Sequence, residues 1–325
     1  MRLIRFRERA GDGEPRIGIL DGDGENGDGE NGDRENGDVN HDAGGAGGAE
    51  VVTVLQSVGS LAELLARPLD EIRAICASPA GATLRSDRIE LLAPADGRME
   101  VWAAGVTYER SRAARMEESG QSADIYDRVY AAERPELFFK SAAWRVRGPG
   151  EPVSVRADSS VDVPEPELGV VLNAAGEVAG YTICNDLSSR SIEGENPLYL
   201  PQAKIYAGGC AAGPWIVPAW EIQDPYALTI GLRIDREGAV AWEGSASTAG
   251  LHRKIDELAD WLLREEEFPG GVILSTGTSL VPDLPFTLQE GDVVRIAISG
   301  IGGVLANPVV RGKAALAAAD SASAR

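Results

Sequence analysis

Residues 165–186 contain two apolar runs of strand length on either side of a turn, and no other feature constrains the fold as strongly. The run LGVVL follows Glu165 and Glu167, whereas the run YTIC ends just before Asp186. An unbroken apolar run of this length is typical of a buried strand, and GEVAG between the two runs is a turn sequence. We therefore predict a buried antiparallel β-hairpin that turns across residues 174–180.

Carboxylates stand at the open end of this predicted hairpin. Side chains alternate between the faces of a strand, so Glu165 and Glu167 share one face, and the antiparallel return brings Asp186 close to them. Three hard oxygen donors suit Mg2+, Mn2+ or Ca2+ better than zinc. The same spacing also fits an acidic turn in solvent, or a glutamate pair bridged to Arg156 or Arg190. Spacing alone leaves these interpretations open.

The N-terminal part of the chain, residues 1–95, is predicted to be a small α+β domain. Two strand-like runs within residues 1–20, MRLIRF and RIGIL, flank a polar turn and indicate a hairpin. Residues 21–50 repeat DG, NG and EN with few apolar side chains, which cannot offset the entropy of ordering, so we predict a flexible acidic insertion. Helical spacing of apolar residues over 60–78, with Ser60 as a possible N-cap, predicts one or two short helices.

The larger part of the chain, residues 96–312, is predicted to be an α+β, mainly β domain. Short β-rich runs alternate there with glycine and proline turns, and helical sequence interrupts them near 108–132 and 249–264. The tail, residues 313–325, consists mostly of small residues at a chain end, and we expect it to be disordered.

Composition limits the partners of the chain. A formal net charge of -20 argues against nucleic acid, because an acidic surface repels a phosphate backbone. No apolar run approaches the roughly 20 residues of a membrane span, and the charged N-terminus lacks a secretory signal, so we expect a cytoplasmic location and no membrane partner. Only four of the 31 basic residues are lysines. This acidic, arginine-rich balance favours a halophilic, high-salt cytoplasm.

Several segments taken together resemble a known family. PELFFK, EPELGVVL, GYTICNDLSSR, LPQAKIY and LSTGTSLVP are similar, in order and near the expected spacing, to the catalytic domain of the fumarylacetoacetate hydrolase superfamily over about residues 98–310. The resemblance implies a mixed β-sandwich or roll that carries the site. It also implies Mg2+ ligation by Glu165, Glu167 and Asp186 and a homodimeric or homotetrameric assembly, with a small 2-oxo acid as substrate.

The histidines of the chain distinguish between chemistries within that family. Hydrolases of the superfamily activate water with a histidine in a segment like GxNYxxHxxE, whereas the equivalent stretch here, GVTYERSRA, has Ser111 at that position. The chain's two histidines are His41, inside the acidic insertion, and His252, which we interpret as a surface or packing residue. Loss of a general base typically costs roughly 100- to 10,000-fold in rate. Hydrolysis is therefore disfavoured.

The segments around Ser111 and the stretch ENPLYLPQAKIYAGGCAAGP resemble most closely the sugar-acid dehydratases of the superfamily. That resemblance implies a hydro-lyase that converts 2-keto-3-deoxy-D-pentonate into 2,5-dioxopentanoate and water. The same keto acid arises from D-arabinonate and from D-xylonate, so the sequence does not say which sugar acid feeds the enzyme.

Such a reaction needs positive charge beside the three carboxylates, because the substrate brings another carboxylate and develops an enolate. Lys204 in LPQAKIY is the first candidate and could also carry a proton. Lys140 and Arg190 are further candidates for contacts with the substrate. For Lys140 the alternative interpretation is a structural salt bridge.

By the same resemblance, Glu136 in RPELFFK faces the pocket as an acid or base, and Ser111 is placed among the substrate-binding residues. Thr278 and Thr276 in LSTGTSL would donate to the substrate carboxylate around the permissive Gly277. The alternatives are a surface glutamate at a strand edge and an ordinary tight turn.

Two other functions remain open at this stage. One is a different enzyme on the same scaffold, either an acylpyruvate or fumarylacetoacetate-type hydrolase or a decarboxylase or tautomerase of another 2-oxo acid. The other is a non-catalytic protein that binds a metal or ligand.

Overall fold

The computed structural model describes residues 1–10, 13–21, 50–109 and 123–323. The predicted acidic insertion, apart from its two end residues, and Ser111 lie outside the described residues. Within the described ranges the strands are β1 (Arg2–Glu8), β2 (Arg16–Asp21), β3 (Val51–Val54), β4 (Thr83–Arg85), β5 (Ile89–Leu91), β6 (Glu100–Gly105), β7 (Glu136–Ala142), β8 (Val153–Val155), β9 (Asp162–Val163), β10 (Pro166–Leu172), β11 (Val178–Asp186), β12 (Ser188–Ser189), β13 (Cys210–Pro218), β14 (Thr229–Arg236), β15 (Ala239–Ser247), β16 (Val272–Ser275), β17 (Val293–Ile298) and β18 (Leu305–Arg311).

Helices are fewer and short. The α-helices are α1 (Leu61–Leu65), α2 (Leu69–Ala77), α3 (Ala123–Ala131), α4 (Arg190–Glu195), α5 (Leu200–Lys204), α6 (Ile255–Leu263) and α7 (Gly312–Ser323). Short 3-10 helices cover Ser86–Arg88, Ala143–Arg145, Pro197–Tyr199, Ala219–Glu221 and Thr248–Gly250. In the described part of the chain, none of these helices has the length and apolar character needed to cross a membrane.

A large mixed sheet forms the framework. Its strand order is β4-β3-β2-β1-β13-β11-β10-β16-β6-β7, and β5 pairs with β1. A second sheet has the order β15-β14-β17-β18-β8. Most neighbours are antiparallel, whereas β16 with β6 and β18 with β8 are parallel pairs. The prediction of an α+β, mainly β fold with mixed sheets is therefore confirmed.

The central hairpin has the predicted form. Strands β10 and β11 pair antiparallel, with Glu167 opposite Cys184 and Pro166 opposite Asn185. All seven residues of β10 are buried, because both faces of this strand are covered. Leu168 packs in one hydrophobic cluster with the second sheet, while Val171 packs in another with the N-terminal helices. Such two-sided burial explains the unbroken apolar run in the sequence.

The N-terminal segment joins the same large sheet. Strands β1 and β2 form the predicted hairpin, and Leu3 pairs with Ile216 of β13. Helices α1 and α2 lie within the predicted region, and the Ser60 hydroxyl caps α1 by accepting a hydrogen bond from the Glu63 amide at 3.1 Å. The division of the chain into domains near residue 95 stays a prediction.

The expected disorder of residues 313–325 is wrong for the described part of that tail. Residues up to Ser323 form the helix α7. Alanine-rich sequence has a high intrinsic helix propensity, and Leu316 is buried. An ion pair of 2.6 Å between Arg147 and Asp320 also holds the helix against the body of the protein. A prediction from the sequence of the tail alone does not include these long-range contacts.

Candidate active site

Three acidic side chains converge at the open end of the central hairpin. Glu165 directly precedes β10, Glu167 lies in β10, and Asp186 is the last residue of β11. All three are buried, and one oxygen from each lies within 4.8 Å of the others. The backbone closes the hairpin here, since the Asp186 amide donates to the Glu165 carbonyl at 3.0 Å. Burial excludes the interpretation of these residues as an acidic turn in solvent.

Glu167 is held by the loop that follows β16. The Ser275 hydroxyl and the Gly277 amide both donate to Glu167 Oε2, at 2.6 and 2.8 Å. Gly277 has a φ of +91°, and a Cβ on it would lie 2.0 Å from the Thr107 hydroxyl oxygen, so a larger residue would distort the loop. The sequence LSTGTSL therefore folds around a metal-ligand candidate.

The proximity of like charges perturbs Glu167. Burial, followed by the negative charges of Asp186 and Glu165, raises the pKa of Glu167 to about 8. Removal of a carboxylate from water disfavours its charged form, and neighbouring anions do the same. A hard divalent cation placed among the three carboxylates would favour their charged forms and so lower the pKa of Glu167 again.

Side-chain cations surround Glu165 and Asp186. Lys204 Nζ lies 2.7 Å from Glu165 Oε2 and 2.8 Å from Asp186 Oδ2, and it donates to the Ser188 hydroxyl at 2.6 Å. Arg190 contacts Glu165 Oε1 at 2.8 Å, and Lys140 Nζ contacts Asp186 Oδ1 at 2.5 Å. Every carboxylate oxygen of these two acids is thus within 2.8 Å of a cationic nitrogen.

Two sequence interpretations can be compared with these contacts. The glutamate pair does bridge to Arg190, whereas Arg156 instead forms an ion pair with Asp158. Lys140 forms the buried salt bridge that was its alternative interpretation, and it also donates to the carbonyls of Leu187 and Lys204.

The three carboxylates fit a hard divalent cation. They supply only oxygen donors, they are buried together, and their mutual repulsion calls for positive charge between them. Lys204 Nζ lies between Glu165 and Asp186 and supplies positive charge to these two of the three acids.

A cavity opens onto the carboxylates. Glu165, Glu167, Asp186 and Lys204 all line it. The rest of its wall includes Glu136, Phe138, Arg190, Glu193, Leu200 and Thr278. Charged groups thus face a cavity whose remaining wall is partly apolar, which is the usual character of a small-molecule site.

Some of the predicted substrate-binding and acid-base residues line the cavity, and others do not. Glu136 lines the cavity, and Gly105 gives its carboxylate room, because a Cβ on Gly105 would lie 2.1 Å from Glu136 Oε2. Thr278 also lines the cavity. Thr276 does not line it, and its hydroxyl donates to the Leu168 carbonyl at 2.9 Å, where it fixes the end of β16 against β10.

His252 plays no part in the cavity wall. It is exposed and stacks on Tyr130, with ring centroids 4.3 Å apart. Among the residues that the structure describes, no histidine lines the cavity. The interpretation of His252 as a surface or packing residue is therefore confirmed.

Sequence reasoning missed Glu193. This residue lies three positions after Arg190 in α4, is 5% exposed and lines the cavity. Residues three apart in a helix lie on the same side. The spacing RSIE could therefore have indicated that Glu193 follows Arg190 into the site.

The comparisons with known proteins agree with this geometry. The family model described as "Fumarylacetoacetate (FAA) hydrolase C-terminal" matches residues 100–310. A probable 2-keto-3-deoxyxylonate dehydratase of Haloferax volcanii is 51% identical over 210 residues, which cover 65% of this chain and 72% of the relative. A 2-dehydro-3-deoxy-D-arabinonate dehydratase of Saccharolobus solfataricus is 50% identical over 215 residues, which cover 65% of this chain and 71% of the relative.

Solved structures of a 2-keto-3-deoxy-D-arabinonate dehydratase are similar over nearly the whole chain. The apo form has a TM-score of 0.77 at 36% identity and covers 96% of this chain and 100% of its own. The form complexed with magnesium and 2,5-dioxopentanoate has a TM-score of 0.76 at 35% identity, and the match covers 96% of this chain and 99% of that structure's chain.

Proposed function

Because the chain belongs to the fumarylacetoacetate hydrolase family, we propose that it is a Mg2+-dependent dehydratase of 2-keto-3-deoxy-D-pentonate. The products are 2,5-dioxopentanoate and water, and the enzyme is a carbon-oxygen hydro-lyase. The buried convergence of Glu165, Glu167 and Asp186 on Lys204 carries this proposal. The names of the relatives that are about 50% identical support the substrate class.

Glu165, Glu167 and Asp186 would hold the metal. Bound Mg2+ supplies Lewis-acid chemistry, which polarises a 2-oxo group and makes the neighbouring C3 proton more acidic. Mn2+ or Ca2+ would fit the same oxygen donors. The reaction removes one proton from C3 and the hydroxyl from C4, which together make water, and a tautomerisation then yields the C5 aldehyde.

The chain's own residues would move these protons. Lys204 and Glu136 both line the cavity and are the candidates for the base at C3 and the acid at the C4 hydroxyl. Arg190 and Lys140 supply fixed positive charge beside the carboxylates. Thr278 would position the substrate carboxylate, whereas the contact of Thr276 with the backbone suits a supporting role.

The hydrolase alternative rests on the shared fold, and no described residue supplies the histidine base that it needs. The non-catalytic alternative has to explain why Lys204, Glu136 and the three carboxylates face one cavity. The tautomerase or decarboxylase alternative is separated from dehydration only by assay.

A direct assay tests the proposed function. Purified protein with Mg2+ is expected to form 2,5-dioxopentanoate from 2-keto-3-deoxy-D-pentonate, measured with an aldehyde dehydrogenase coupled to NAD+ reduction. EDTA is expected to lower the rate at least roughly 100-fold, and added Mg2+ to restore it, because the metal supplies several kcal/mol of charge stabilisation. Cleavage of an acylpyruvate without dehydration of the keto acid would contradict the proposal. No turnover of either compound would favour a binding protein.

A prediction for substrate recognition follows from Glu193. We expect its buried carboxylate to accept a hydrogen bond from the terminal C5 hydroxyl of the substrate. Glu193→Gln should therefore lower kcat/KM roughly 10- to 100-fold, the usual effect of losing a hydrogen bond to a charged group. The matched control is Glu195→Gln on the same helix, where Glu195 is exposed and should leave kcat/KM unchanged.

A truncated substrate separates recognition from structural support. With 4-hydroxy-2-oxobutanoate, which lacks the terminal hydroxymethyl group, Glu193→Gln and the parent enzyme should have nearly equal kcat/KM. An equal loss on both substrates would show that Glu193 only supports the site.

A homodimeric or homotetrameric assembly, a cytoplasmic location and adaptation to high salt are further parts of this proposal. The net charge of -20 supports the last of them. Sedimentation at low and high salt would measure assembly and salt dependence together.

A further inference from the structure

Side-chain cations already occupy the carboxylate oxygens of Glu165 and Asp186. Lys204, Arg190 and Lys140 contact all four of these oxygens at 2.5 to 2.8 Å. A divalent cation would add two positive charges to this buried cluster. It would need oxygens of Glu165 and Asp186 that these cations now contact, and it would repel the cation nearest to it. We therefore expect one of the three side-chain cations to move away when a divalent cation binds.

The contacts of Lys140 and Arg190 do not favour movement of either side chain when a divalent cation binds. Lys140 Nζ is fixed by the carbonyls of Leu187 and Lys204 at 3.0 and 2.6 Å, and it does not line the cavity. The Arg190 guanidinium contacts Glu165 at 2.8 Å, and Arg190 is the first residue of α4.

Lys204 has the contacts of an exchangeable cation. It alone among the three touches both Glu165 and Asp186, so it competes for oxygens on two of the three metal-ligand candidates. Its side chain lines the cavity, and its flexible four-carbon stem allows the ammonium to move. The Phe138 ring, which also lines the cavity, has its centroid 5.7 Å from Lys204 Nζ. An aromatic face at this distance can accept a displaced ammonium.

We propose that Lys204 is the exchangeable counter-ion of this cluster, and that a divalent cation taking Glu165 and Asp186 displaces its ammonium toward the cavity. Metal loading would then place the proton carrier where the 2-oxo acid binds. This inference rests on the metal site of the proposed function. It adds a coupling, in which Lys204 and the metal compete for the same oxygens.

Amine labelling of the unaltered protein tests the displacement without substrate. Reductive methylation with 13C-formaldehyde, followed by peptide mass spectrometry, gives the rate at each of the four lysines with and without Mg2+. Lys204 should react at least about tenfold faster with Mg2+, because an amine released from Glu165 and Asp186 into the cavity is more accessible to the reagent than one buried between them. Lys140 should stay unreactive, and the exposed Lys254 and Lys313 should not change.

Metal affinity gives the second measurement. Titration calorimetry with Mn2+ should show Lys204→Met binding on the order of tenfold more tightly than the parent, since the variant lacks the competing cation. Lys140→Met is the matched control, because it removes an equal buried charge that does not bridge the two carboxylates. Its change in affinity should be smaller.

The outcomes separate this inference from the proposed function. Metal binding with unchanged Lys204 labelling, or Lys204→Met with equal or weaker Mn2+ affinity, would overturn the displacement and leave the metal site standing. Absence of any metal binding by the parent protein would overturn both.

Discussion

Glu165→Gln is expected to lower turnover of 2-keto-3-deoxy-D-pentonate by roughly 1,000-fold or more, because it removes a proposed metal ligand and the charge that anchors two cations. The substitution keeps the shape of the side chain but leaves Arg190 and Lys204 without the carboxylate that they contact at 2.8 and 2.7 Å. Affinity for Mn2+ should fall as well, so steady-state kinetics at several metal concentrations would measure both losses.

Glu195→Gln again provides the control, since it removes an exposed acid of the same type that does not line the cavity. It should match the parent in turnover and in metal affinity. Circular dichroism of Glu165→Gln should show a folded protein, because the pairing of β10 with β11 and β16 uses backbone groups and not the Glu165 side chain. If the variant kept more than about a tenth of the parent rate, Glu165 would not be a metal ligand. Removing a contact that stabilises the transition state lowers the rate much more than tenfold.

The local parts of the site could be predicted from the sequence. Alternation along a strand and a short turn are local properties, so they placed Glu165 and Glu167 on one face and brought Asp186 back to them. The cap at Ser60 is local in the same way. Family resemblance then pointed to metal ligation, and the need for positive charge beside three carboxylates singled out Lys204 as the first candidate.

Other parts depend on contacts between distant segments. The ion pair of Lys140 with Asp186 joins residues on strands that are not neighbours in the large sheet. Helix α7 is held by Arg147, which precedes it by more than 150 residues. Thr276 and Thr278 are two positions apart, yet one bonds to the backbone of β10 and the other lines the cavity. Pattern and propensity do not contain such information, because packing decides it.

Lys204→Met is expected to lower kcat roughly 100- to 10,000-fold, the usual effect of losing a general acid or base. The same variant should bind Mn2+ more tightly, so turnover and metal affinity should change in opposite directions. Substitution of a residue that merely supports the metal site would instead lower both turnover and Mn2+ affinity. Lys204 differs from a structural lysine in this respect, because it touches Glu165 and Asp186 and also lines the cavity.

Two further variants sharpen this prediction. Lys204→Arg keeps the positive charge but does not give up its proton at neutral pH, so kcat should stay low while Mn2+ affinity returns toward that of the parent. Lys254→Met removes an exposed lysine and should change neither quantity. Steady-state rates of the three variants at saturating Mg2+, together with Mn2+ calorimetry, give the comparison. Full activity of Lys204→Arg would show that Lys204 acts through its charge, and would leave Glu136 as the group that moves the proton.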